Sequence, residues 1–373
     1  MKRIFLALSL VLSLSYTVKA QENNPIITAV PSLSIAPDAR GGGMGDIGAA
    51  TDADVNSQYW NPSKYVFMDS EVGFSLSYTP WLRQLVTDID LAYLAGYWKF
   101  NENQAVSASL RYFSLGDIQL MNELGIHVTD AHPNEFTFDG AYSLLLSEKL
   151  SGSVALRLIY SDLNNGINFG GGSDMYPGLA VAADVSAYYK QPMEFPTGKG
   201  NLSFGMNISN IGSKISYDEF ETSNFIPTNL RLGTSFNYPI DDYQKISINA
   251  DVNKLLVPTP DGTSDFNNMS PITGIFRSFN DAPGGFSEEM REIMWSLGAE
   301  YAYNNQFFVR GGYYNESQYK GNRKYFTAGA GFKLNVFQLD AAYVISTSQS
   351  NPLDQTLRFS LSFDLFGLKN LVK

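Results

Sequence analysis

The chain has 373 residues, with 37 acidic against 26 basic side chains and a net charge of −11. That balance excludes a nucleic-acid binder, whose affinity rests on lysine and arginine meeting phosphate. The lack of any cysteine excludes a disulfide scaffold, thiolate catalysis and zinc thiolate sites.

Residues 1–20 read as an export signal. Lys2 and Arg3 form a basic start, the stretch 4–16 is apolar, and Val18, Lys19 and Ala20 make a small-x-small cleavage site. Cleavage there leaves Gln21 as the expected first mature residue. The apolar stretch is shorter than the ~20 residues of a membrane anchor, and no later stretch suits a spanning helix. Segment 21–70 is rich in glycine and small residues and alternates little. Gly43, Gly45 and Gly48 have the spacing of a dinucleotide fingerprint, but no strand precedes them and no βαβ pattern surrounds them. These glycines predict close backbone packing in a confined space instead. Irregular structure with one short helix is expected here, periplasmic or associated with a lumen.

From about residue 71 the texture changes to period-two alternation. Strands are predicted over 71–79, 87–100, 104–115, 134–147, 151–162, 178–190, 200–210, 228–238, 244–255, 293–303, 306–315, 323–334, 336–346 and 356–366. In the last of them Leu357, Phe359, Leu361, Phe363 and Leu365 share one face, and Arg358, Ser360, Ser362 and Asp364 share the other. The count is even, as a closed single-chain bacterial barrel requires. The fold class is therefore all-β: a 14-stranded antiparallel transmembrane β-barrel over 71–366, with a short tail at 367–373. Its last strand should close against the one beginning near Glu71.

Eleven charges fall near mid-strand: Asp90, Arg111, Asp139, Arg157, Asp184, Arg231, Asp251, Glu300, Arg310, Asp340 and Arg358. An arginine on the lipid face at the midplane would cost ~2–4 kcal/mol. All eleven are assigned to the lumen, where their near balance of sign predicts a paired network rather than a charged pore. Tyrosines and tryptophans near strand ends, such as Tyr78, Trp98, Tyr160 and Trp295, suit interfacial girdles.

The connections alternate between short and long. Short turns near 101–103, 147–149, 239–243, 304–305 and 335 take turns with long loops at 116–133, 163–177, 211–227, 256–292, 316–322 and 347–355. The exception is 191–199, with two prolines. Long loops on one side mark the cell exterior. With segment 21–70 in the periplasm, both chain ends are expected on the inner side. Loop 256–292 far exceeds the ~15 residues of an ordinary connection. It carries Phe266, Met269, Ile272, Ile275, Phe276, Phe279, Phe286 and Met290. Such residues either fold over the barrel mouth or form a sticky protein-docking surface. The two histidines, His127 and His132, share a loop with Glu123 and Asp130, but no nucleophile elbow or zinc-protease motif accompanies them. No catalytic residue, cofactor or metal site is assigned.

Pro37, Asp38, Ala39 and Arg40, the glycine run closed by Met44 and Gly45, the stretch 48–54 and Asn61, Pro62, Ser63 together carry a resemblance. The string resembles the PorV family of type IX secretion barrels, which is similar in fold to the FadL fatty-acid transporters. The resemblance implies a non-enzymatic outer-membrane role. It implies binding of the C-terminal domain of secreted cargo at the type IX translocon channel protein, and delivery to a surface sortase or attachment complex. The alternatives are a FadL-like transporter of hydrophobic small molecules and a lipid A deacylation factor, for which His127 and His132 are the obvious candidates. The lipid-facing wall implies outer-membrane lipid as a further partner.

Overall fold

The computed structural model describes residues 23–83, 86–122, 124–163, 176–218, 223–261, 268–347 and 353–364. The export signal and the tail at 367–373 lie outside them. In chain order the strands are β1 Val72–Pro80, β2 Ile89–Asn101, β3 Gln104–Leu115, β4 Ile118–Met121, β5 His127–Ala131, β6 Asn134–Ser147, β7 Leu150–Asp162, β8 Gly178–Phe195 and β9 Gly198–Gly212. They continue as β10 Ile215–Ser216, β11 Ser223–Asn224, β12 Asn229–Pro239, β13 Gln244–Leu255, β14 Met294–Tyr303, β15 Phe307–Asn315, β16 Lys324–Leu334, β17 Phe337–Ser346 and β18 Leu357–Asp364.

The fourteen long strands close a barrel in which β1 pairs with both β2 and β18. All neighbours are antiparallel, and the seam aligns Leu76 with Leu361 and Ser77 with Ser360. Full closure leaves no unpaired edge in lipid. Two small ribbons, β4–β5 and β10–β11, sit in the long connections. The alternation seen in the sequence is the division of each strand between wall and lumen. In β18, Leu357 and Phe359 point out and are exposed, while Arg358 and Ser360 point in and are buried.

The connection that reads as an exception, 191–199, is mostly strand. β8 and β9 run on to Phe195 and Gly198, beyond their neighbours, and make a projecting hairpin. The pairing of β7 with β8 stops at Leu150 opposite Tyr189, so Pro192 falls where its missing N–H breaks no ladder.

Segment 23–70 does not lie beneath the barrel. It threads the lumen from the long-loop mouth to the short-turn mouth, in four short helical turns: Pro31–Ser34, Ala39–Gly42, Ser57–Trp60 and Pro62–Phe67. Near the long loops, the Ala29 N–H donates to the Phe225 carbonyl at 2.9 Å. Halfway down, Ala39 N donates to Ser360 Oγ at 2.9 Å and Thr327 Oγ1 to the Gly43 carbonyl at 3.0 Å. At the short-turn end, Lys99 Nζ donates to the Met68 carbonyl at 2.9 Å. The segment is therefore associated with the lumen, and its first described residues lie among the long loops, not at the short-turn side expected of a periplasmic segment. Val30 and Leu33 join Ile159, Ala180 and Ile226 in a buried cluster by the long loops, where that end of the segment finds its apolar contacts. Period and turn length cannot report which mouth a non-strand segment enters by.

Two cross-strand glycine pairs in the wall, Gly205 with Gly233 and Gly298 with Gly312, make room for this plug. A side chain at Gly205 would occupy the space of plug backbone at Ala49, and one at Gly298 or Gly312 that at Met44, while one at Gly233 would meet the Asp251 carboxylate and the Ala49 side chain. Backbone cannot swing aside as a side-chain tip can. Gly205→Val or Gly312→Val should therefore cost at least the ~1–3 kcal/mol of an overpacked core. The barrel should still close and keep its heat-dependent gel mobility. The plug should become cleavable by protease within 41–56, and planar bilayers should show a conductance that the parent lacks. Protease resistance and a silent bilayer in both variants would show that the plug does not depend on these glycines.

Candidate functional site

The lumen is wired by ion pairs between facing strands and between wall and plug. On one side Arg157 of β7 bridges Asp139 of β6 (Nε–Oδ1 2.5 Å) and Asp184 of β8 (Nη2–Oδ2 3.0 Å). On the other, Arg310 of β15 bridges Glu300 of β14 and Asp340 of β17, each at 2.6 Å. Arg40 of the plug reaches Glu300 at 3.1 Å and Asp54 at 2.7 Å, tying the second cluster to the segment inside it. Arg358 pairs with Asp46 of the plug. Asp251 accepts from the Gly48 and Ala49 amides at 2.9 and 3.0 Å.

Two of the predicted lumen arginines, Arg111 and Arg231, are held by aromatic faces and neutral acceptors. Arg111 donates to the Ile35 carbonyl at 3.0 Å and lies 5.0 Å from the Tyr59 ring centre. Arg231 stacks on Trp60 at 4.5 Å and donates to Asn253 Oδ1 at 2.8 Å. Arginine suits this task because its planar cation binds aromatic faces as well as acceptors.

Asp90 is placed differently from the other ten charges. The inward positions of β2 are Leu91, Tyr93, Ala95 and Tyr97, all buried. Asp90 is on the outward side at the long-loop end of β2, where Tyr78 Oη donates to it at 2.6 Å and Arg83 lies 3.4 Å away. The strand's inner face is apolar and aromatic because it packs on the plug, so polarity alone assigns it to the wrong side.

Two polar residues that tie the plug to itself carry no local signal of their more distant partners. Asp38 caps Ala39–Gly42 by accepting from Gly41 N at 2.8 Å, and accepts from Trp60 Nε1 at 2.6 Å. Lys64 donates to the Gly48 carbonyl at 2.8 Å from full burial. An Asp two residues ahead of an Arg and a glycine run is a legible helix cap. Its second partner, Trp60, is 22 residues away and leaves no local signal.

Above the lumen, connection 256–292 is built inside out. Its polar groups are turned inward: Lys254 Nζ pairs with Glu292 at 2.5 Å and Glu289 at 3.1 Å, and Lys320 Nζ with Glu288 at 2.6 Å and Glu292 at 3.0 Å. Thr259 Oγ1 donates to Glu292 at 2.5 Å. Its apolar groups are turned outward. Ile272 is 64% exposed, Phe276 75%, Phe279 51% and Phe286 79%. Ile272 and Phe276 are four residues apart on the helix Pro271–Arg277, hence on one face. Met269 and Ile275 are half-buried, and Phe266 lies outside the described residues. The alternative in which the loop folds over the mouth to bury these side chains does not describe those four.

His127 and His132 form two separate exposed pairs, with Asp130 at 2.8 Å and Asp117 at 2.6 Å. Among the described residues no cluster of three His, Asp or Glu side chains could hold a metal. Between plug and wall near the long-loop mouth is a cavity of about 290 Å³ lined mainly by apolar side chains, with Ile35, Trp81, Phe113 and Tyr325 among them.

A closed barrel with an apolar outer wall and a lumen stopped by its own N-terminal segment defines a plugged outer-membrane barrel of the FadL-like kind. The family described as type IX secretion system protein PorV matches residues 18–262, about two thirds of the chain, and the chain belongs to that family. No curated protein matches it. Solved structures of similar fold include the TodX deltaS2S3 mutant monoaromatic hydrocarbon channel (11% identity, 88% of this chain and 98% of that one, TM-score 0.52). Another is the Pseudomonas putida toluene transporter TodX (9% identity, 92% and 99%, TM-score 0.51). A FadL homologue from Pseudomonas aeruginosa aligns at 12% identity over 92% and 99%, with a TM-score of 0.45. The chain is thus a type IX secretion component of the outer membrane.

Two predictions follow from the charges. Arg157→Met leaves Asp139 and Asp184 buried without their cation and should cost ~3–5 kcal/mol, read from the urea midpoint of the detergent-solubilised barrel. Arg157→Met with Asp139→Leu and Asp184→Leu should recover most of that loss; a triple variant as weak as the single would show the cost is not electrostatic. In the loop, burial pushes the Asp281 carboxyl up to about 6, with the Glu289 and Glu292 charges adding to the effect against the Thr259 amide. A carboxyl raised in the folded state stabilises in its protonated form, fully below its ordinary value of 3.8 and no longer above about 6. Glu288 and Glu289 are held low by Lys320 and Lys254 and by backbone amides, against the opposing effect of burial, so they stay ionised over that window. Amide protection in 271–289 should therefore rise between pH 7 and pH 5, and Asp281→Asn should give the higher protection at both; an unchanged pH response in that variant would assign it elsewhere.

Proposed function

We propose that the long-loop face of this barrel binds the C-terminal domain of secreted cargo as it leaves the type IX translocon channel, and carries it to the cell-surface sortase or attachment complex. The observation that supports this most is the outward apolar stripe Ile272, Phe276, Phe279 and Phe286 on a base of buried ion pairs. Large apolar side chains held out in water on an ordered base cost free energy unless a partner covers them. Aromatic anchors of this kind dominate protein interfaces. The filled lumen fits the same reading, since a cargo handled on the outer face needs no wide channel through the barrel.

A second reading rests on the apolar cavity of about 290 Å³ by Trp81 and Phe113, which has room for a small hydrophobic molecule. Lipid or detergent copurifying inside the barrel would favour it.

The variant with Ile272→Ser, Phe276→Ser, Phe279→Ser and Phe286→Ser changes four side chains that are each more than half exposed. It should keep the parent's heat-dependent gel mobility and lose at least tenfold of the cargo recovered with it from gently solubilised membranes. Undiminished cargo recovery and surface attachment would remove the loop from the mechanism.

A further inference from the structure

The plug begins among the long loops, and its first described residues are held by three of them. Asn24 N donates to the Tyr319 carbonyl at 3.1 Å, in the connection between β15 and β16. Its side-chain amide donates to the Pro260 carbonyl at 3.0 Å and to Glu288 Oε1 at 3.1 Å, both in connection 256–292. Five residues on, Ala29 N donates to Phe225, in the connection between β9 and β12. Between these anchors Ile27 is 78% exposed. Below Val30 the lumen is occupied by the chain's own residues.

We infer that the stretch 23–30, down to the buried Val30 at its base, is displayed on the cell surface, and that with residues 268–292 of the long connection it forms one continuous face on which a protein partner docks. The argument for display is geometric. Hydrogen bonds to three separate long connections place this stretch on their side of the membrane, and long connections mark the exterior of such barrels. The argument for a shared face is that Asn24 bonds the same Glu288 that Lys320 pairs with, two residues from the exposed Phe286. The stretch 23–30 carries no charge and includes Ile26 and Ile27, so it extends the apolar character of the loop. The partner it fits is a folded protein domain presenting an apolar patch. This second half rests on the docking function proposed above; the display of residues 23–30 does not.

The chain has no cysteine, so a single introduced thiol is the only label site. Ile27→Cys, Phe286→Cys and Glu102→Cys place it in the N-terminal stretch, the long loop and a short turn. On intact cells a membrane-impermeant maleimide should label Ile27→Cys to within twofold of Phe286→Cys. Glu102→Cys should react only after the outer membrane is permeabilised. Ile27→Cys labelled only after permeabilisation would overturn the display. The same variants, carrying a polyethylene-glycol maleimide adduct, are then offered purified cargo C-terminal domain. Loss of at least fivefold in association for both adducts is the expected result. Loss at Phe286→Cys with full association at Ile27→Cys would overturn the shared face and leave loop docking standing. Full association with both adducts would overturn the shared face and the docking function together.

Discussion

Lipid offers no hydrogen-bond partner, so a barrel wall in a membrane must turn every strand's polar face toward the lumen and satisfy it there. In a narrow barrel without a wide aqueous channel, only protein can meet most of that demand. Here the chain's own residues 23–70 do so, by reaching from one mouth to the other. Asp251 accepts from plug amides, Arg358 meets Asp46, and Glu300 is shared between Arg310 of the wall and Arg40 of the plug. Wall glycines at 205, 298 and 312 carry no side chain because plug backbone fills the space it would need. The pairing of charges serves position more than net stability. Buried ion pairs gain little over well-packed apolar groups, yet one left without its partner is costly, so a misplaced plug is penalised at several points at once.

The same logic is turned around at the outer mouth. Connection 256–292 buries Glu289 and Glu292 and exposes Ile272, Phe276, Phe279 and Phe286, the reverse of an ordinary solvated loop. Lys254 and Lys320 each bridge two glutamates beneath it, which holds the exposed stripe on an ordered base. Asn24 ties the start of the plug into this base. Lumen and outer face are therefore joined by covalent chain as well as by contact, and the N-terminal segment belongs to both.

Membrane strands are unusually readable because lipid imposes a strict two-face chemistry on each of them. The alternation in Leu357 to Asp364, and the short turns between such segments, were enough for strand number, order and seam. Where a strand packs on the plug, that chemistry fails. β2 puts Leu91, Tyr93 and Tyr97 inside, so Asp90 reads as a lumen charge while it faces out. The prolines at 192 and 196 read as a loop although β8 extends past its neighbours to Phe195; its edge beyond β7 is unpaired and tolerates Pro192, and Pro196 falls in the hairpin turn. In loop 256–292 the residue types were visible but not their direction, since irregular backbone has no period to sort inside from outside.

The sequence by itself determined an exported fourteen-stranded barrel, the composition of its two faces and the loop most unlike the others. Those features follow from local rules: an apolar stretch before a small-x-small site, a period of two, and turn length. Only the tertiary structure decided that the glycine-rich segment stops the lumen and starts among the long loops. It also decided that Arg157 and Arg310 each clasp two carboxylates, and that the aromatics of loop 256–292 face outward. Each of these depends on residues brought together from distant parts of the chain, such as Arg358 with Asp46 or Asn24 with Glu288, and only the plug's path through the closed barrel makes such pairs neighbours.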